Sequence, residues 1–117
     1  MTLHERVIGD VTILDIDGRI TVQDGGDMFR DAVRRLVREG CLKLVLNFHE
    51  TAYIDSTALG EIVRTYTSIT RRGGRLRLLH VTARVEQLLA ITQIRSVFDV
   101  FDDEAEVVKS FGTPSIE

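Results

Sequence analysis

The sequence predicts an α/β fold: a mixed, mostly parallel sheet of about five strands with about four helices, in a single domain spanning residues 1–117. Three observations carry that expectation. After an opening pair of strand-like segments, β-type apolar runs alternate with segments of helical periodicity, the order that builds parallel sheets through helical crossovers. The run from Leu42 to Phe48 is nearly continuous in apolar residues, as a strand covered on both faces is. A chain of 117 residues with 44% hydrophobic and 28% charged side chains also suits one core, since that length buries roughly two thirds of its unfolded surface without metal or disulfide.

The elements follow in order. Leu3 to Ile8 is a weaker candidate strand and Val11 to Ile16 a stronger one, rich in β-branched and aliphatic residues. Gly9-Asp10 between them suits a tight hairpin, and Asp17-Gly18 reads as the turn that closes the second strand. From Asp27 onward Met28, Phe29, Ala32, Val33, Leu36 and Val37 share one helical face, with Arg30, Arg34, Arg35 and Arg38 on the other and Gly40 as the stop. Leu42 to Phe48 follows as a strand central in the sheet, and then a polar turn. A second helix begins near Thr57, carries Leu59, Ile62, Val63, Tyr66 and Ile69 on one face, and stops at Gly73-Gly74.

Leu76 to Val81 is the next strand, and Thr82 is a natural N-cap for a third helix that turns Val85, Leu88, Leu89 and Ile91 toward the core. Val97 to Phe101 is a short strand. Asp102, Asp103 and Glu104 load the first turn of a last helix with negative charge, which complements its dipole. Ala105, Val108 and Phe111 supply its apolar side, and Gly112-Thr113-Pro114 ends it.

A formal charge of -3 argues against a nucleic-acid binder, which needs a concentrated excess of Lys and Arg. Cys41 is the only cysteine; beside Leu42 and Leu44 it reads as a small buried hydrophobe, compatible with a reducing compartment. Met1 to Val7 lacks the apolar core of a signal peptide, and no apolar run approaches the ~20 residues that span a bilayer. A soluble, cytoplasmic protein without membrane insertion is expected. His4, His49 and His80 read as scattered, without His or Cys at metal-ligand spacing, and Asp15, Asp17, Asp24 and Asp27 miss the calcium-loop pattern and read as turn residues and candidate partner contacts, so neither metal nor cofactor is expected. Arg64, Arg71, Arg72, Arg75 and Arg77, like the arginines of the first helix, read as solvated faces, with a partner-docking role for some of them as the alternative.

The most informative passage leads from the central strand through the polar turn to Asp55-Ser56 and directly into the second helix. The first N-H groups of a helix lack intrahelical partners and favour an anion, such as the phosphate of a modified serine. Local chemistry leaves a second reading open, in which Asp55 or Ser56 is simply the N-cap. A hydrolase elbow would need glycines at Gly-x-Ser-x-Gly spacing, where this chain has Ile54 and Ala58, so Ser56 is not expected to be a catalytic nucleophile with His49 or His80 as base, and no enzyme activity is expected.

Tyr53-Ile54-Asp55-Ser56-Thr57-Ala58-Leu59-Gly60 is similar to the Asp-Ser-(Ser/Thr)-Gly-Leu-Gly signature of the STAS family, the fold of bacterial anti-sigma factor antagonists. Gly18-Arg19-Ile20 resembles that family's Gly-x-(Leu/Ile) after the second strand, and Gly73-Gly74 sits where its second helix ends. Ala90-Ile91-Thr92-Gln93-Ile94 to Val97-Phe98 resembles its Leu-Thr-Gly-Leu to Val-Phe stretch, so the likeness covers nearly the whole chain. It implies a single STAS-like domain in which Ser56 is phosphorylated by a partner that is both anti-sigma factor and serine kinase. The unmodified form would bind that partner and release a sigma factor, and a serine phosphatase would restore it. Thr57 is the fallback acceptor, and Asp55, Ser56, Thr57, Ala58, Leu59 and Asp24 are the expected partner-binding residues.

Three positions depart from the family pattern: Ala58 and Gln93 replace glycines, and Thr21 stands where an acid is common. The Ala58 methyl is expected where a partner approaches. The same fold also serves as a scaffold subunit of signalling assemblies or as a soluble accessory subunit of membrane-transport complexes, which is the alternative function.

Overall fold

The computed structural model describes residues 1–112. Its elements are β1 (Thr2–Ile8), β2 (Val11–Ile20), α1 (Gly26–Arg38), β3 (Lys43–Asn47), β4 (Thr51–Ile54), α2 (Ser56–Arg71), β5 (Arg75–Leu79), α3 (Ala83–Ile91), a 3-10 turn at Arg95–Val97, β6 (Val100–Phe101) and α4 (Glu104–Gly112). The sheet runs β1-β2-β3-β5-β6, with β4 paired to the far end of β2. Only the β1–β2 hairpin, turning at Gly9-Asp10, is antiparallel. The mixed, mostly parallel sheet is as expected, and β3 lies centrally between β2 and β5.

Period-two alternation divides the apolar side chains between two faces. Leu14, Ile16, Leu44, Leu46 and Leu78 face α1, α2 and α3, where they pack with Phe29, Val33, Ile62, Ile69, Val85 and Leu89. Ile13, Val45 and Leu79 face the other way, onto Val107 of α4.

The sheet has six strands where about five are expected, because the segment read as a polar turn is itself a strand, and a second short-range signal misplaces the end of β2. Asp17-Gly18 does not end β2. Gly18 adopts φ 109, the register shifts between Gly18 and Arg19, and the strand runs on to Ile20, which pairs with Ile54. Glycine absorbs such a bulge at no steric cost and re-aims the strand. The segment read as a polar turn is β4, where the Thr51 hydroxyl donates to the Ile16 carbonyl at 2.8 Å, so that a polar residue is buried without an unsatisfied group.

Smaller corrections concern the ends. Of the strand expected over Val97 to Phe101 only Val100–Phe101 pairs; the chain before it makes the 3-10 turn and buries Phe98 against Tyr66, with ring centroids 5.3 Å apart. Met28 and Ile91 are exposed rather than core-facing. In α4 the buried position is Val107, flanked by Val108 and Phe111, and Ala105 is exposed. The Asp103 carboxylate accepts from the Glu106 N-H at 3.0 Å, which fixes where that helix begins and thus which residues meet the sheet. Thr113 and Pro114, read as part of its stop, lie outside the described residues. Asp15 and Asp17 lie within β2 rather than in a turn.

Candidate functional site

The start of α2 is held by one side chain. Asp55 is extended (φ -103, ψ -179); one carboxylate oxygen accepts the Ala58 N-H at 2.9 Å and the other accepts the Val22 N-H at 2.9 Å. Its own N-H donates to the Ile20 carbonyl at 3.1 Å. Asp55 therefore caps α2 and also ties the β2–α1 loop to it. Of the two capping readings left open by local chemistry, the geometry selects Asp55.

Ser56 is consequently the first residue of the helix, exposed, with a hydroxyl that makes no hydrogen bond among the described residues. Thr57 is exposed too. Ala58 and Leu59 are each 4% accessible and belong to the core. The Ala58 methyl thus faces inward rather than toward an approaching protein. Asp24 is exposed in the neighbouring loop, where its N-H donates to the Thr21 hydroxyl at 3.0 Å and its carbonyl accepts the Thr21 N-H at 2.8 Å. Thr21 in this way organises the loop that Asp55 anchors.

Three residues outside the expected partner-binding set complete this surface. Arg19 of β2 and Arg84 of α3 both stack on the Tyr53 ring, with guanidinium carbons 5.2 and 4.9 Å from its centroid. Arg19 and Tyr53 pair across the β2–β4 register, so recognising β4 in the sequence would have placed them together. They line a depression of about 340 Å³ with Thr21, Val22, Gln23 and Asp55.

Thr57 opens on a separate groove between α1 and α2, about 280 Å³ in volume. Its floor holds Glu61, 6% accessible and engaged by Arg34 through two hydrogen bonds of 3.1 and 3.2 Å, with Arg64 at 3.6 Å. Arg34 is therefore a structural partner rather than only a solvated charge. The same holds for Arg77, whose side chain is 15% accessible and stacks on Phe111 at 4.7 Å.

The histidines are not scattered. His4, His49 and His80 converge with Arg6, Asp15, Asp17, Asn47 and Glu50 on a cavity of about 420 Å³ on the α4 side of the sheet. His49 and His80 follow two parallel strands aligned at Asn47↔Leu79, and their rings stand edge-on at 5.2 Å. The register is what joins residues far apart in sequence. Arg6 forks to Asp15 at 2.7 and 2.9 Å and to Glu104 at 2.7 and 3.0 Å. Burial pushes the Asp15 carboxyl upward, but the hydrogen bonds from Arg6 and Asn47 outweigh it and hold the group below its ordinary range. The Arg6 hydrogen bond likewise lowers Glu104. Among the described residues no group of three or more His, Cys, Asp or Glu could hold a metal ion, and no imidazole hydrogen-bonds Ser56. No described helix is long and apolar enough to cross a membrane.

The chain is similar to the anti-sigma-B factor antagonist of Bacillus subtilis, 30% identical over 88 residues that make up 74% of this chain and 78% of that protein. It is 25% identical to a Thermotoga neapolitana protein provisionally named an anti-sigma factor antagonist, over 89% of this chain and 92% of the relative. A solved Thermotoga maritima structure with the same provisional name superposes with a TM-score of 0.85 at 23% identity, over 93% of each chain. At that identity the superposition speaks to the fold alone. The STAS domain family model matches residues 3–107, and the chain belongs to the STAS domain family.

Proposed function

We propose that this protein is a cytoplasmic anti-sigma factor antagonist, one signalling domain over residues 1–117 without enzyme activity of its own. Its unmodified form binds an anti-sigma factor that is also a serine kinase and thereby releases a sigma factor. Phosphorylation of Ser56 ends that binding, and a serine phosphatase reverses it. The observation that carries the reading is the division of labour at the α2 N-terminus: Asp55 does the capping, which leaves the Ser56 hydroxyl exposed and, among the described residues, unengaged. The names of the relatives support the anti-sigma factor antagonist part of the reading.

The physical effect of the modification follows from its position. A phosphate adds roughly -1.5 to -2 charges at pH 7, and a helix N-terminus accepts each charge with a gain of about 0.3–1 kcal/mol, so the fold tolerates it. At an interface the same dianion, next to Asp55, must be desolvated or face repulsion, at a cost on the order of several kcal/mol. Every ~1.4 kcal/mol is tenfold in affinity, so one phosphate lowers binding by about a hundredfold or more with the fold unchanged. Titration of Ser56→Asp against the kinase partner by calorimetry tests this. Binding as tight as that of wild type refutes it. Incubation with activated esters is expected to give no turnover.

A further inference from the structure

Arg6, Arg34, Arg35, Arg77 and Arg95 each meet a carboxylate, whereas Arg19 and Arg84, like Arg38, Arg71, Arg72 and Arg75, form no ion pair among the described residues. Of these, Arg19 and Arg84 are the pair that stacks on one aromatic ring. The one carboxylate lining the adjacent depression, Asp55, already spends both oxygens on the Ala58 and Val22 N-H groups. Arg84 also occupies the first turn of α3, where the positive end of the helix dipole disfavours a cation. Two exposed guanidiniums, held in place by one aromatic ring and unneutralised in a chain of net charge -3, form a cationic spot beside the first turn of α2. Val22, 66% accessible in the same depression, adds an apolar contact.

We infer that Arg19, Tyr53 and Arg84 form the docking surface for an acidic protein segment, carried by the partner that engages Ser56. Planar guanidiniums preset on an aromatic face receive carboxylates in a forked geometry, with little rotamer entropy left to lose. The inference rests on the proposed function for the identity of the partner, and it adds a second effect of phosphorylation. A dianion on Ser56, the residue that follows Asp55, competes with the partner's carboxylates for the field of the same two arginines.

The test compares wild type, R19E/R84E, R19Q/R84Q and Ser56→Asp, each checked for folding by its amide NMR spectrum. In one arm hexaglutamate is titrated at low and high salt. Shifts are expected at Arg19, Val22, Tyr53 and Arg84 in wild type; they weaken with salt and vanish in R19E/R84E. In the other arm the anti-sigma factor kinase is titrated, and R19E/R84E is expected to weaken binding by at least ~tenfold with a shallower salt dependence, with R19Q/R84Q in between. If Ser56→Asp loses the kinase while both arginine variants bind it as wild type does, the docking surface is refuted and the Ser56 switch stands. If the arginine variants lose it while Ser56→Asp binds normally, the docking surface stands and the switch falls. Loss of binding to phosphatidylglycerol vesicles in R19E/R84E, with hexaglutamate ignored by wild type, overturns the inference in favour of a lipid surface.

Discussion

Replacing Asp55 by alanine removes two hydrogen bonds at once, and their separate magnitudes set the expected loss. The cap on Ala58 N-H contributes about 1 kcal/mol, within a range of roughly 0.5–2. The bond from Val22 N-H is charge-assisted but at an exposed loop, so it contributes about 1–1.5 kcal/mol, the lower end for bonds to ions. The sum is about 2–2.5 kcal/mol. For a domain of this length, unfolding entropy near 2.1 cal/mol/K per residue makes 1 kcal/mol worth about 4 °C, so Asp55→Ala melts about 8–10 °C below wild type. Asp55→Asn keeps one acceptor oxygen and loses the charge, and is expected about midway. Ser56→Ala is the control. Because Ser56 is the first helical residue and its hydroxyl is unengaged, that variant melts within about 2 °C of wild type. Calorimetry or circular dichroism at pH 7 supplies the three numbers. A Ser56→Ala loss equal to that of Asp55→Ala refutes the assignment of the cap, and with it the reason for regarding Ser56 as free for modification.

Gln93 holds φ 63 at the end of α3, where its N-H bonds the Ala90 carbonyl and the Ile94 N-H bonds the Leu89 carbonyl, the paired bonds of a glycine-type helix stop. Gln93→Gly therefore raises the melting temperature by about 2–4 °C, since the left-handed strain of ~1–2 kcal/mol exceeds the entropy glycine loses on folding. Ala58→Gly, which restores the family motif, loses helix propensity and a buried methyl, and chemical denaturation is expected to give a loss of about 1–2 kcal/mol. The Arg6 network makes the fold sensitive to acid. Asp15 and Glu104 are held below their ordinary values, so their contribution is complete above about pH 5, begins to fall through the unfolded range near pH 4, and is lost as pH drops through the lower folded values. Arg6→Gln is expected to cost about 1–2 kcal/mol at pH 7 and to flatten the fall in melting temperature between neutral and acid pH, read from melts across a pH series.

Most of the fold was legible because long periodic segments carry their own signal. The apolar faces of α1 and α2 and the continuous run of β3 needed no tertiary information. What escaped depends on pairing. β4 is four residues long, opens on a threonine whose burial is satisfied by the Ile16 carbonyl, and directly follows the polar His49-Glu50 turn. The Asp17-Gly18 turn signal is overridden because β4 offers β2 a partner beyond the bulge.

The site divides the same way. Asp55-Ser56 at a helix start could be read from residue types, but which of them caps could not, since both are good caps and the choice rests on the second bond to Val22. Arg19, Tyr53 and Arg84 come from β2, β4 and α3, and His4, His49 and His80 from β1 and the turns that follow β3 and β5. Neither group is close in sequence: strand register unites Arg19 with Tyr53 and His49 with His80, and the packing of α3 against β4 brings in Arg84.

The central claim is that one hydroxyl governs one interface. The direct measurement is phosphate incorporation and partner affinity together: wild type and Ser56→Ala incubated with the anti-sigma factor kinase and ATP, analysed by intact mass and peptide mapping, with affinity measured for the modified and unmodified forms. The account predicts a single phosphate on Ser56 of wild type, none on Ser56→Ala, and an affinity about a hundredfold lower after modification. Phosphate on Ser56→Ala at the wild-type level, or equal affinity of both forms, contradicts it.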